Sequence, residues 1–188
     1  MCRGAFFNML EDRARVLGPE VVAEYLDFFK VARLQAWRMY PLRDYLTRLV
    51  VLSQIRFGAD GIHAGLRELQ SGAFDAWGAT MLGRAALRVA DPTLEGILRL
   101  LERAYASHTV VTHTTFKIEH ISPDEVVTRF ENEYVYIEHA MAGALEGVMR
   151  VCGYDEGRVV AELETPYVGR VRLMPGPRRA KRPDRNAH

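Results

Sequence analysis

The sequence predicts an α+β fold: a helical N-terminal half followed by a four-stranded antiparallel sheet, laid down as hairpin, helix, hairpin. Three observations carry this. Apolar residues recur at helical spacing as far as Tyr105. Near Ser107 the composition turns to Thr, Val, Ile and Phe, which favour strands, and a period of two takes over. One more helical stripe, from about Tyr134 to Cys152, then separates two alternating stretches, each broken by turn residues.

The elements follow in order. Phe6, Leu10, Ala14 and Leu17 mark a first helix, which Gly18-Pro19 ends, and Pro19 begins the next. Val22, Tyr25, Leu26 and Phe29 form the second stripe. The link from Lys30 to Tyr40 is open, because Tyr40 precedes a proline and is biased away from helix. Pro41 suits a first helical position, and Leu42, Tyr45, Leu46 and Leu49 run on to Gly58. Asp60 is placed to cap a short helix bearing Ile62, Leu66 and Leu69. A single helix is expected from about Ala73 to Ala90, with Phe74, Trp77, Met81 and Ala85 on one face. Asp91-Pro92 signals the start of the next, through Leu94, Ile97, Leu98, Leu101 and Tyr105.

In the second half, Phe116 and Ile118 alternate with Lys117 and Glu119. Val126, Thr128 and Phe130 alternate with Val127, Arg129 and Glu131 across a Ser122-Pro123-Asp124 turn. In the late helix Ile137, Met141, Ala144, Leu145, Val148 and Cys152 share a stripe. The last hairpin turns at Thr165-Pro166-Tyr167, and Glu162 and Glu164 are placed to face Arg170 and Arg172.

Composition bounds the function. The chain has 188 residues, 48% apolar and 26% charged, and a net charge of +1. The expected organisation is one domain over residues 1–174 and a disordered basic tail over 175–188. The tail carries +4 and leaves the body at −3, which gives no footprint for nucleic acid. No run reaches the ~20 apolar residues of a membrane span. The N-terminus lacks a secretory signal, and a cytoplasmic protein is expected. Cys2 and Cys152 show no disulfide or zinc spacing, so no metal is expected.

Several segments resemble a known family. These are Tyr40-Pro41-Leu42-Arg43-Asp44-Tyr45-Leu46, the helix ending Leu82-Gly83-Arg84, and Ala142-Gly143-Ala144-Leu145-Glu146-Gly147-Val148. Together they are similar to a paralogous family of uncharacterised proteins found mostly in myxobacteria. That family is in turn similar to the heme nitric-oxide/oxygen-binding, four-vinyl-reductase-type and TRAPP group. The resemblance spans roughly residues 5–174 and implies a helical half with a sheet closed by a late helix. It also implies two chemistries. Metal-binding cysteines of the reductase-type domains are missing from the last hairpin, Glu162 to Met174. For heme, His108 stands at a comparable place before the sheet, but Tyr134-Val135-Tyr136-Ile137-Glu138 departs from the Tyr-x-Ser-x-Arg propionate motif.

The expected function is therefore a non-catalytic binding or regulatory module, not an enzyme, acting through protein contacts or a small apolar ligand and holding no cofactor. The alternative is a heme or gas sensor using His108. Candidate ligand-binding residues are Trp37, Tyr40, Trp77 and His108. Candidate interface residues for a homodimer or another protein are Phe7, Phe28, Gly143 and Gly147. Phe7 and Phe28 belong to adjacent aromatic pairs that point about 100° apart on a helix, and the two glycines permit close helix approach. Cys152 is read as a buried hydrophobe. The pairs Glu131/Glu133 and Glu162/Glu164 are read as strand-surface carboxylates.

Overall fold

A computed structural model describes residues 1–29 and 33–179. The helical half holds α1 (Gly4–Leu17), α2 (Pro19–Phe28), α3 (Leu42–Phe57), α4 (Ile62–Gln70), α5 (Ala73–Gly78), α6 (Met81–Val89) and α7 (Leu94–Ala106). Two short strands, β1 (Cys2–Arg3) and β2 (Met39–Tyr40), pair antiparallel and tie the N-terminus to the α2–α3 link. The C-terminal half is the expected sheet. Its strands are β3 (Thr115–Ile121), β4 (Val126–Glu131), β5 (Arg158–Thr165) and β6 (Val168–Met174), in the order β3-β4-β6-β5, all antiparallel. A π-helical turn (Ile137–Met141) and α8 (Ala142–Val151) cross between the hairpins. Among the described residues no helix is long and apolar enough to cross a membrane.

The inner face of the sheet is apolar and packs on the helices. Phe116 and Phe130 meet at 5.0 Å between ring centroids, Tyr105 of α7 lies 5.4 Å from Phe116, and Val171 and Leu173 are fully buried. The outer face carries the expected ion pairs, Arg172–Glu162 at 3.3 Å and Arg170–Glu164, and adds Arg129–Glu164 at 2.7 Å and Arg170–Glu119 at 2.6 Å. Exposed pairs of this kind stabilise little individually.

Three helix boundaries differ from expectation. The helix expected across Ala73–Ala90 is two. Thr80 breaks it by accepting the Gly83 amide on its hydroxyl at 3.0 Å, an N-cap that restarts the chain as α6. Met81 consequently points into solvent while Phe74 and Trp77 stay buried. Asp91 does not cap α7. It accepts the Thr93 amide, and Thr93 is the cap, accepting the Gly96 amide at 3.1 Å. Asp60 is likewise not the cap of α4; Gly61 holds that position.

The boundary expected at residue 174 also moves. Pro175–Arg179 lie against the end of α8: the Arg179 amide donates to the Gly153 carbonyl at 2.8 Å, Arg178 donates to the Cys152 carbonyl at 3.2 Å, and Arg179 pairs with Asp155. Residues 180–188 of the expected tail lie outside the described residues.

Candidate functional site

Between the helices and the inner face of the sheet lies a cavity of about 70 Å³. Four groups of elements position its wall. The β1 strand brings Cys2, held by a bridge to Val111. The α3 and α5 helices bring Tyr45 and Trp77, α7 brings Tyr105, and the sheet brings Phe116 and Phe130. The chain between β4 and the π-helix brings Glu133, and the π-helix itself brings Met141. The π-helix forms after Tyr136, which sits in the left-handed region at φ 50°, and such turns recur at functional sites.

The wall is apolar, and burial shifts its titratable groups toward their neutral forms. Burial pushes the Cys2 thiol up to about 12, and burial keeps the Tyr45 and Tyr105 phenols well above their ordinary range. The Tyr45 hydroxyl donates to Gln70 Oε1 at 2.5 Å. Glu133 is the one carboxyl of the wall and has no solvent exposure. Burial pushes its pKa up to about 7, against the amides of Val135 and Tyr134, which favour the charged form. The Val135 amide donates to Oε1 at 2.8 Å, whereas Oε2 has no hydrogen-bond partner. The Thr114 hydroxyl donates instead to the Asn132 carbonyl.

Of the ligand-binding candidates, only Trp77 lines this cavity. Trp37 is exposed in the turn before β2. Tyr40 is half-buried, packs edge-on against Phe7 at 5.6 Å, and accepts the Gln35 amide on its hydroxyl. His108 is exposed in the turn after α7, at φ 53°, outside the wall.

The interface candidates also separate. Phe7 is buried, in edge contact with Tyr45 at 5.4 Å. Gly143 and Gly147 face inward, where α8 crosses α4: a Cβ on Gly143 would stand 2.0 Å from the Arg67 carbonyl oxygen, and one on Gly147 would stand 2.1 Å from that of Ser71. Phe28 alone of the four is exposed.

Glu133 was read with Glu131 as a surface carboxylate, and this is corrected. Glu131 pairs with Arg129 at 2.9 Å on the outer face, while Glu133 is buried. The signal lay in its phase: Glu133, Val135 and Ile137 alternate with Tyr134 and Tyr136, and all three of the first set are buried. Cys2, Tyr45 and Tyr105 carry no local signal as ligand contacts, since nothing in the sequence distinguishes a wall residue from a core residue.

The comparisons with known proteins bear on this geometry. Residues 1–166 match a family described as protein of unknown function, DUF2378. The chain belongs to the DUF2378 family. No curated protein matches it. Among solved structures, the fold of this DUF2378 protein is similar to that of H-NOX proteins. The Fe(II) unliganded H-NOX protein from K. algicida is 14% identical, with a TM-score of 0.67 over 93% of this chain and 97% of that one. The S. oneidensis H-NOX protein in the Fe(II)NO ligation state is 12% identical, with a TM-score of 0.66 over 91% and 97%. A further structure, concerned with heme distortion in the H-NOX family, is 13% identical, with a TM-score of 0.69 over 96% and 98%.

This likeness overturns two expectations. A non-catalytic module acting through protein contacts or a small apolar ligand gives way as the reading, and so does the absence of a cofactor. The DUF2378 protein shares its fold, over nearly the whole of both chains, with H-NOX proteins solved in Fe(II) and Fe(II)NO states and with one studied for heme distortion. The missing Tyr-x-Ser-x-Arg motif argued against one way of holding the propionates, not against the fold. By donor chemistry, the wall offers groups that ligate heme iron elsewhere in nature: a cysteine sulfur in Cys2 and a tyrosine oxygen in Tyr105. Among the described residues no group of three or more His, Cys, Asp and Glu gathers at one point, and no histidine lines the wall. At about 70 Å³ the space holds a few heavy atoms, so a macrocycle enters only as wall side chains turn aside.

Proposed function

We propose that this DUF2378 protein is a heme-dependent gas sensor built on the H-NOX plan. The observation that carries the reading is the coincidence of that fold with an interior cavity whose wall presents Cys2 and Tyr105. When bound, heme supplies an iron that takes a diatomic gas. Cys2 and Tyr105, both on the cavity wall, would be the residues to hold it, through sulfur and oxygen, and the apolar wall would keep water from it. His108 has no part in this version of the alternative, because it is exposed outside the wall.

Sensing rather than catalysis is the role proposed, in the cytoplasm. The signal would pass to a second copy of the chain or to another protein, and Phe28 is the expected interface residue that remains on the surface. The wider kinship with four-vinyl-reductase-type and TRAPP proteins, and a myxobacterial setting, belong to the same proposal.

Hemin titration tests it. Wild type is expected to give a saturable Soret band at one heme per chain. Cys2→Ala or Tyr105→Phe should shift or abolish it, and His108→Ala should leave it unchanged. Absence of a saturable band in folded wild type, or a band lost only in His108→Ala, overturns the reading.

A further inference from the structure

Two residues of the cavity wall carry polar atoms without a hydrogen-bond partner: Glu133 Oε2 and Trp77 Nε1. Glu133 has no exposure and Trp77 is 3% exposed, so solvent does not reach either side chain. Buried polar atoms in folded proteins are nearly always paired. One orphan is a carboxyl oxygen and the other an indole N–H, which can only donate. The cavity beside them is several times the ~10–15 Å³ that one water requires, and well under the ~150 Å³ that accommodates benzene.

We propose that this cavity binds a small hydroxylated aliphatic molecule, its hydroxyls donating to Glu133 and accepting from Trp77, its carbons lying against Phe116, Phe130 and Leu145. The chemistry selects the class. A hydroxyl both donates and accepts, so a diol carries a donor for the carboxyl oxygen and an acceptor for the indole N–H. An ammonium has nothing to accept the indole N–H. A carboxylate of the same length has nothing to donate to Glu133 and is repelled when Glu133 is charged. A hydrocarbon leaves both atoms bare. This goes beyond the heme reading and does not depend on it, since it concerns the space as it stands before any macrocycle enters.

The test uses full-length protein purified without added heme, with 1,2-propanediol as probe and propionate and propylammonium as controls. The chain has two tryptophans, so each indole N–H resonance can be followed and assigned with Trp77→Phe. Trp37, exposed in a surface turn, serves as the internal reference. Saturable movement of the Trp77 resonance with the diol, Trp37 staying still, is expected. Glu133→Leu should weaken binding at least about tenfold, the loss that goes with one hydrogen bond to a charged group. Glu133→Gln preserves size, and should also weaken it if the leucine variant does not fold. An unmoved Trp77 resonance would mean that water alone meets both atoms, and overturns the proposal. Wild-type affinity in both Glu133 variants, or binding of either control as tight as the diol's, overturns it too. A hemin titration without a Soret band leaves this result intact, so the two readings fail separately.

Discussion

At the scale of single residues, Glu133 shows how position converts an ordinary carboxyl into an unusual one. Enclosure in an apolar wall penalises its charge, and one amide on Oε1 offsets only part of that penalty. Its pKa in the folded chain, about 7, lies above the ordinary 4.5. The folded state therefore binds more protons than the unfolded state between these values. Stability falls as pH rises through that window and is flat above it. The full span amounts to about 3 kcal/mol. Glu133→Gln cannot ionise, so its stability should lose this slope. Urea unfolding at pH 5 and pH 8 is expected to show wild type weaker at pH 8, and the variant nearly unchanged. Equal slopes in both proteins would show that Glu133 is not the group that titrates.

At the scale of elements, the contact of α4 with α8 decides where the sheet closes. Gly143 and Gly147 lie one helical turn apart, and each lets a carbonyl of the α4 end approach where a side chain would sit. Arg67, on the same helix, reaches across to Glu146 at 2.6 Å and to the Val159 carbonyl at 2.9 Å, so backbone contact and ion pair lock the same crossing. In an isolated helix, Gly→Ala would stabilise by ~1 kcal/mol. Here a methyl 2.0 Å from the Arg67 oxygen forces the helices apart, and overpacking of this kind costs ~1–3 kcal/mol. Gly143→Ala is thus expected to lower the melting temperature despite its better propensity. A rise would place the glycines on a free surface, as the interface expectation had them.

At the scale of the whole molecule, the first residues of the chain and Arg178–Arg179 are part of the fold. The Met1 carbonyl accepts the Thr112 amide and Cys2 bridges Val111, so the N-terminus helps close the cavity beneath α7. At the other end, Arg178 and Arg179 satisfy the Cys152 and Gly153 carbonyls, which a helix terminus otherwise leaves unpaired. Arg178 also stands over the Tyr154 ring at 6.0 Å from its centroid. Truncation after Arg179 should leave the melting temperature close to that of the full chain. Truncation after Met174 should lower it by a few degrees, as expected for ~1 kcal/mol lost from hydrogen bonds. Indistinguishable melting of the two would show that the segment contributes nothing.

Local pattern was enough to reveal the α+β class, the two hairpins and the outer ion pairs. Each depends on alternation or on residues close in the chain: Phe116 against Lys117 along one strand, Glu162 near Arg172 across the last turn. The split at Thr80 was legible in principle, since a threonine three residues before Gly83 is a cap signal, but a continuous apolar stripe masked it. The cavity was not legible. Cys2, Trp77, Tyr105 and Glu133 come from four distant stretches, and each alone reads as core, strand end or surface. What made Glu133 distinctive is the company it keeps, because a carboxyl's proton affinity is set by the dielectric and the hydrogen bonds that surrounding elements impose. The sequence by itself determined the helical half, the late helix and the two hairpins of the sheet. Only the tertiary structure decided that two glycines face inward, that His108 stands outside, and that an unpaired acid and an unpaired indole line one cavity.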